Sequence, residues 1–100
     1  MDIERFKKLQ RFEWDKWNID KIYFKHRVEP FECEEVFFDE NKVMLTDVLH
    51  SVKEEKHILL GKTKENKLLF IVFTTRGNKI RIISARDINK KERHLYEKSI

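Results

Sequence analysis

The chain has 100 residues, which is enough for one compact domain and too few for two. Hydrophobic and charged residues each make up 40%, so one core can form beneath a densely charged surface. The single cysteine, Cys33, excludes an intrachain disulfide and a cysteine-based metal cage. The first ten residues are too charged for a signal peptide, and no apolar run approaches the ~18 residues of a membrane helix. We therefore expect one cytoplasmic domain over residues 1–100, with no membrane partner.

The charges are distributed unevenly along the chain. The net charge is +4, and residues 78–100 contain seven Lys and Arg against three acids. Residues 29–40 contain six acids and no basic residue. This asymmetry favours a polyanion or an acidic protein as the partner of one face, and a merely solvated charged surface is the alternative.

The N-terminal half predicts a short strand followed by two helices. Residues 1–11 carry apolar side chains at helical spacing and predict a short additional helix. Residues 12–14 predict the strand, and Asp15 is a suitable N-cap for the next helix. The buried face of that helix is expected to consist of Ile19, Ile22, Tyr23 and His26. Pro30 suits the first position of a second helix. The buried side of this second helix is expected to consist of Phe31, Cys33, Val36 and Phe37.

The C-terminal half predicts a sheet and a last helix. Residues 42–48, 56–63, 68–75 and 79–85 predict four strands, and the stretch 68–75 is apolar enough to be central. Between the last two strands, a hairpin turn at residues 76–79 contains Gly77 and Asn78, which tolerate positive φ. A capping box from Asn89 to Glu92 opens a helix that is expected to bury Leu95 and Tyr96.

These elements have the order β-α-α-β-β-β-β-α, in which the helices are segregated from consecutive strands. We therefore expect an α+β fold with a mainly antiparallel sheet packed on one side by helices. In this arrangement the other face of the sheet is partly open to a partner.

The sequence has no Gly-rich phosphate loop and no nucleophile-elbow motif. Its four histidines (His26, His50, His57 and His94) fall on different predicted elements with irregular spacing. A zinc site would need three or four such ligands to converge, so surface or hydrogen-bonded histidines are the better interpretation. We expect neither a metal nor a cofactor.

The return strand at residues 79–85 contains the most informative charged position. Arg81 interrupts an apolar run there, so it is either paired with a carboxylate or directed at a phosphate, for which the planar guanidinium is suited. Arg86 follows at the strand end. An ideal strand directs these two side chains to opposite faces, so a twist or bulge near Ser84 is needed to bring them to one face.

Cleavage of RNA without a metal needs a general base, a general acid and positive charge near the phosphate. Lysine and arginine can supply the charge. The residues of this sequence that can transfer protons are His50, His57, Glu54 and Glu92, with Tyr96 in an assisting role.

A series of landmarks in the sequence resembles the BrnT family of toxins. In chain order they are Phe12-Glu13-Trp14-Asp15, Lys25-His26 with Val28, Phe31-Glu32, Val36-Phe37-Phe38-Asp39, the D-x-x-H-S-x-x-E stretch at 47–54, Leu60-Gly61-Lys62-Thr63, residues 72–77, residues 80–86 and Glu92-Arg93-x-x-Tyr96-Glu97. The series covers nearly the whole chain. Three positions depart from the family pattern: Arg27 and Asn66 stand where glycine is usual, and Thr75 replaces a glutamate.

The resemblance implies a RelE-like fold and a bacterial ribonuclease toxin that is metal-independent, acts without the ribosome, and inhibits translation and growth. It also implies RNA as substrate and a cognate BrnA-like antitoxin with a ribbon-helix-helix part, which brings the complex to operator DNA. By motif position, the catalytic residues are His50, Glu54, Arg76, Arg81, Arg86 and Glu92. Lys25, His26 and Tyr96 are substrate-binding candidates by the same criterion. Lys90, Lys91 and Arg93 on the last helix are substrate-binding candidates by their charge, and a solvated helix face is the favoured alternative for them.

Two other functional classes remain as alternatives. One is a non-catalytic module that binds only a protein, and the other is a regulator that binds nucleic acid without cleaving it and acts with a DNA-binding antitoxin. Trp14 and Trp17 either stack on bases or belong to the core. An exposed ring of the Phe37-Phe38 pair would be a natural contact for the antitoxin.

Overall fold

The computed structural model of the protein describes residues 11–45 and 55–100. The additional helix predicted over residues 1–11 falls almost wholly outside the described residues, as do the end of the strand predicted at 42–48 and the site residues His50 and Glu54.

Five strands and three helices make up the described part of the chain. They are β1 (Arg11–Phe12), α1 (Lys16–His26), α2 (Pro30–Phe37), β2 (Val43–Leu45), β3 (His57–Lys62), β4 (Leu68–Arg76), β5 (Lys79–Asp87) and α3 (Lys90–Lys98). The expected α+β class is confirmed.

The strands form one mixed sheet with the order β1-β5-β4-β3-β2. Strands β2 to β5 pair antiparallel with their sequence neighbours. Strand β1 pairs parallel with β5, with Arg11 beside Lys79 and Phe12 beside Ile80. The first strand of the chain is therefore joined to the last strand at an edge of the sheet.

Helices pack on both faces of the sheet, so the expectation that they cover only one side was wrong. The larger core cluster joins Leu59 to Ile22 of α1 and Val36 of α2. A second cluster joins Leu60 to Tyr96 of α3. Because successive strand residues point to opposite faces, the two clusters lie on opposite sides of β3.

The predicted N-cap Asp15 begins α1 and the predicted capping box begins α3, and the structure shows that Asp15 also belongs to a capping box. The Asp15 carboxylate accepts from the Asn18 amide at 3.1 Å, and the Asn18 side chain accepts from the Asp15 amide at 2.8 Å. At α3, Asn89 and Glu92 make the same reciprocal pair. These bonds satisfy amides that have no partner within the first turn of a helix.

Two predicted core residues are exposed instead. Phe31 is 59% exposed, because α2 meets the sheet through Cys33 and Val36 and Phe31 lies on its outer side. Leu95 is 38% exposed, because α3 turns its neighbour Tyr96 toward the sheet.

A β-bulge interrupts the pairing of β4 with β5. Val72 pairs with Ser84, whereas the next residue, Phe73, pairs with Ile82, so Ile83 is the extra residue of β5. After this shift, Arg81 and Arg86 face Thr74 and Phe70, which lie on the same face of β4. The irregularity that the sequence requires near Ser84 is therefore present.

The end of α2 is tied closely to strand β3. A Cβ atom on Gly61 would lie 2.5 Å from Cγ1 of Val36, so a larger residue would push α2 away from the strand. The Asp39 carboxylate accepts from the Lys62 amide at 2.8 Å and from the Tyr96 hydroxyl at 2.7 Å. Burial and the bond to Asp39 raise the pKa of Tyr96. Asp39 thus joins the α2 end of the core to α3 on the opposite face.

Three described residues have positive φ, and one of them is unfavourable. Gly77 (φ 60°) and Asn66 (φ 68°) lie in the two hairpin turns, where their residue types suit this conformation. Asn78, also expected to need such tolerance, does not adopt positive φ. Arg27 ends α1 with φ 56° and donates its amide to the Tyr23 carbonyl. A side chain with a Cβ atom costs energy at this left-handed position.

We expect Arg27→Gly to raise the free energy of unfolding. Relief of left-handed strain of roughly 1 kcal/mol exceeds the loss of the contact of Arg27 over the Tyr23 ring, 5.4 Å from its centroid, worth about 0.5 kcal/mol. The net gain is therefore about 0.5 kcal/mol, measured by urea unfolding. Arg27→Ala is the matched control: it keeps the strain, loses the contact, and should be less stable than the wild type. A glycine variant less stable than the alanine variant would contradict this account.

Candidate functional site

A groove of about 1100 Å³ lies between α1 and the outer edge of β5. It exists because β1 ends at Phe12, after which the chain leaves the sheet and begins α1. The buried Asn18 then bonds to the strand edge, since its Nδ2 donates to the carbonyls of Glu13 at 3.0 Å and Ile82 at 3.1 Å. The Asn18 side chain therefore bonds to the edge of β5 beyond the end of β1 and holds α1 beside this strand.

Basic and aromatic side chains dominate the lining of this groove. Its cations are Lys16, Lys21, Lys25, Lys56, Arg76 and Arg81. Asp20 is the one acid among the lining residues that the structure describes, and the aromatic side chains are Trp17 and Phe24. Such a surface is suited to a polyanion that carries planar rings.

Arg81 is held by two carboxylates at the β5 side of the groove. Its Nη1 lies 2.9 Å from Oε1 of Glu13 and 2.9 Å from Oδ2 of Asp15. The hydrogen bond from Arg81 lowers the pKa of Asp15, and the same bond raises the pKa of Arg81. Of the two readings that the sequence allowed, the pairing with a carboxylate is therefore observed.

Arg76 extends this cluster toward solvent. Its side chain is 51% exposed, against 15% for Arg81, and its Nη1 lies 3.6 Å from Oε1 of Glu13. Glu13 therefore joins the two arginines on neighbouring strands, with Arg76 more accessible to a ligand in the groove.

Arg86 and Glu92 form a separate pair where α3 meets the sheet. Two parallel hydrogen bonds of 2.9 and 2.8 Å join the guanidinium to the carboxylate, and the guanidinium carbon lies 4.0 Å from the centroid of Phe70. Burial opposes ionisation of Glu92, but hydrogen bonds from Arg86 and the Asn89 amide lower its pKa overall. Five residues of strand put Arg86 roughly 15 Å from Arg81. The predicted catalytic arginines are thus divided between two places.

His50 and Glu54 lie outside the described residues, but the chain that follows them is tied to the Arg81 side of the sheet. Thr74, the register partner of Arg81, donates its hydroxyl to the carbonyl of Glu55 at 2.8 Å. Glu55, the first described residue after them, is therefore held at the strand position opposite Arg81.

The predicted substrate-binding residues fall into three places. Lys25 lines the groove, and His26 is half-buried at the end of α1. The exposed side chains Lys90, Lys91 and Arg93 lie on α3, away from the groove lining. Tyr96 is 1% exposed and donates its hydroxyl to Asp39, so it belongs to the core.

Two further residues of the sequence hypotheses also lie in the core. His57 is buried beside Phe73, with ring centroids 5.2 Å apart. Trp14 packs against the main core, and its indole nitrogen donates to Glu34 at 2.8 Å.

Sequence reasoning named Trp17 and Lys25 separately but missed that they lie on one groove face of α1 together with Lys21 and Phe24. Trp17, Lys21 and Phe24 follow one another at i, i+4 and i+7, the spacing of one helix face. That face is separate from the buried Ile22, so the repeat of rings and lysines outside the apolar stripe was the available signal. Lys56 joins them only through the fold.

The described residues were also searched for metal ligands and membrane spans. In residues 11–45 and 55–100, no three His, Cys, Asp or Glu side chains gather as metal ligands would. None of the helices in these ranges is long and apolar enough to cross a membrane.

A family model described as the ribonuclease toxin BrnT of a type II toxin–antitoxin system matches residues 14–92. This range includes α1, all of β2 to β5 and the Arg86–Glu92 pair. No curated protein sequence matches the chain.

The lowered pKa of Glu92 predicts a pH-dependent contribution to stability. Glu92→Gln keeps an oxygen for the Asn89 amide but removes the charge paired with Arg86, so we expect a loss of about 1 kcal/mol at neutral pH. Because the folded-state pKa is depressed, the contribution is complete above the ordinary glutamate pKa. It is lost as the pH falls below the ordinary glutamate pKa and through the lower folded value.

Urea unfolding of both proteins across this range measures the difference. Glu97→Gln, an exposed change on the same helix, is the matched control and should leave stability unchanged. A difference for Glu92→Gln that does not shrink at any pH below the ordinary glutamate pKa, down to the acid unfolding of the wild type, would rule out the ionised pair as its source.

Proposed function

Because the chain belongs to the BrnT family of ribonuclease toxins of type II toxin–antitoxin systems, we propose that it is an endoribonuclease that cleaves RNA in the groove between α1 and β5 without a metal ion. Family membership provides the general statement of a ribonuclease toxin with an RNA target and an antitoxin. The observation that carries the specific proposal is the groove itself, which is lined by six cations and a single acid within residues 11–45 and 55–100.

The charge of the groove favours a nucleic-acid backbone over a neutral ligand. Each phosphate that meets a lysine or arginine releases counterions, which gives affinity without sequence preference. The exposed positions Lys21 and Lys25 form one edge of the groove, and Arg76 lies on the other. An RNA strand that passes between them has cations on both sides.

We place the reaction at the end of the groove that holds Arg76 and Arg81. The ribose 2′-oxygen attacks the adjacent phosphorus as a base removes its proton, and the 5′-oxygen leaves as an acid protonates it. The product carries a 2′,3′-cyclic phosphate, and no water or metal is consumed in this step. The two arginines stabilise the extra negative charge of the transition state.

We assign the proton transfers to His50 and Glu54, two of the catalytic residues that the family resemblance implies. Support for this assignment comes from the described residue Glu55, next to Glu54 in the chain, whose carbonyl accepts from Thr74, the register partner of Arg81. Arg86 and Glu92 have a different part in the proposal: they hold α3 on the sheet and are not reacting groups. This follows from their mutual bidentate pairing roughly 15 Å along β5.

The finer identity follows the family resemblance. We assign the chain a RelE-like fold, with which its mixed sheet and three helices are compatible. We assign it a cytoplasmic role in which cleavage of messenger RNA stops translation and growth. Its antitoxin would be a ribbon-helix-helix protein that neutralises it and carries the complex to operator DNA.

We expect the purified, antitoxin-free protein to cleave labelled RNA in EDTA and Arg81→Ala to lose most of this activity. Removal of one catalytic charge typically costs a factor of about 100 or more. Because Arg81 also binds Glu13 and Asp15, the loss alone could reflect stability. The double variant Glu13→Gln/Asp15→Asn breaks the same ion pairs and keeps the guanidinium, and Asn is a good N-cap for α1.

The double variant should therefore lose stability as Arg81→Ala does and yet retain cleavage. Unfolding curves and initial cleavage rates are measured on all three proteins. Equal loss of cleavage in both variants would make Arg81 a structural tether. RNA binding without products, or no RNA contact by the folded wild type, would replace the enzyme by the regulator or the protein-binding module.

We expect the groove, and not α3, to supply the main phosphate contacts. Lys21→Ala/Lys25→Ala should weaken RNA binding and reduce the slope of log affinity against log salt by about one to two. Lys90→Ala/Lys91→Ala removes the same charge from the exposed start of α3 and should change the slope little. The reverse ranking would move the RNA interface to α3.

A further inference from the structure

We propose that the groove selects single-stranded RNA by stacking two of its bases on Trp17 and Phe24. The inference rests on the proposed function, in which RNA occupies this groove. It adds a recognition step that neither the charge of the groove nor the chemistry of cleavage requires.

Trp17 and Phe24 are unusually exposed for side chains of their size. Trp17 is 84% exposed and Phe24 is 67% exposed, although both are large apolar side chains. They lie seven residues apart on α1, which puts them on one face and about 10 Å apart along the helix axis. Both line the groove. The helix thus offers two aromatic surfaces in a row to whatever occupies the groove.

Neighbouring side chains orient Phe24 without covering it. Its ring makes an edge-to-face contact with Tyr23, with centroids 5.6 Å apart and an angle of 69° between the planes. The Arg27 guanidinium lies over the other ring of this pair, 5.4 Å from the centroid of Tyr23. Aromatic rings held in this way keep an open face at a small entropic cost on binding.

Cations alternate with the rings along the same helix. Lys21 follows Trp17 by four residues and precedes Phe24 by three, and Lys25 comes next to Phe24. Alternation of rings and cations matches the alternation of bases and phosphates in a single strand. In a duplex the bases are stacked on one another and paired, so their faces are not available to protein side chains.

A second pair of exposed aromatic rings lies on α2 and its C-cap, in surroundings of the opposite charge. Phe31 and Phe38 are also seven residues apart, with exposures of 59% and 70%. The residues between them on this side include Glu34 and Glu35, which carry the opposite charge from the lysines of α1. A polyanion is repelled there, so ring exposure alone does not make a nucleic-acid site.

The test measures binding of a 2′-O-methyl RNA oligonucleotide, which lacks the nucleophilic hydroxyl and therefore remains uncleaved. The single strand and its duplex with a complementary 2′-O-methyl strand are titrated separately. Trp17→Ala/Phe24→Ala should weaken single-strand binding by about a hundredfold, or about tenfold per ring, and duplex binding by less than about twofold. Both positions are exposed, so the fold should survive.

Phe31→Ala/Phe38→Ala is the matched control, with the same spacing and similar exposure. It should leave both affinities unchanged. Tryptophan fluorescence gives a second measurement, because Trp17 lies in the groove whereas Trp14 is tied to Glu34. Binding of the single strand should quench the wild type. Trp17→Phe should keep the affinity and lose most of the quenching.

The inference is overturned if the Trp17/Phe24 and Phe31/Phe38 variants bind the single strand equally, or if the wild type binds the duplex as tightly as the strand. It is also overturned if Trp17→Ala/Phe24→Ala binds RNA normally but loses the antitoxin, since the groove would then be a protein-docking site. Failure of the proposed ribonuclease function has a different signature, namely no cleavage of natural RNA by a wild type that still binds the 2′-O-methyl strand.

Discussion

Beyond the end of β1, side chains rather than a strand bond to the edge of β5, and the other features of the molecule depend on these contacts. Strand β1 covers this edge only as far as Phe12. Beyond it, Asn18 bonds to the Ile82 carbonyl, and Glu13 and Asp15 bind Arg81. If a full-length strand paired with β5 at this edge, it would leave no space for a groove beside β5. Because side chains make the closure instead, α1 is held at a distance and the groove with its basic and aromatic lining lies between them.

A side chain also takes the place of strand pairing at the opposite edge of the sheet. Strand β2 pairs with β3 only up to Leu60, and the Asp39 carboxylate takes over at the Lys62 amide. That carboxylate also receives the Tyr96 hydroxyl, so the position of α3 depends on the end of α2. Gly61 permits this approach by leaving room for Val36. Acid or amide side chains from neighbouring parts of the chain thus continue the hydrogen bonding beyond Phe12 at one edge of the sheet and before Val43 at the other.

Sequence reasoning succeeded where structure is determined locally and fell short where it depends on distant pairing. The Asp15 and Asn89 caps, the central strand β4 and the helix start at Pro30 are set by neighbours within a few residues. The partners of Arg81 are more than sixty residues away in the chain, so its charge was visible but its ion pairs were not. The bulge at Ile83 was inferred only as a condition for aligning two arginines. The side of the sheet on which α3 packs and the exposure of Trp17 also depend on tertiary packing, which the periodicity of the sequence does not determine.

The single cysteine has a consequence for how this molecule can be followed experimentally. Cys33 is fully enclosed in the main core between α2 and the sheet, and burial followed by the nearby Glu32 charge raises the pKa of its thiol to about 12. A thiolate is the form that reacts with disulfide reagents, so the folded protein is almost inert to them. Labelling at this one position therefore counts the opening events of the core. The rate at which Cys33 is labelled therefore reports the rate of unfolding, and no engineered probe is needed.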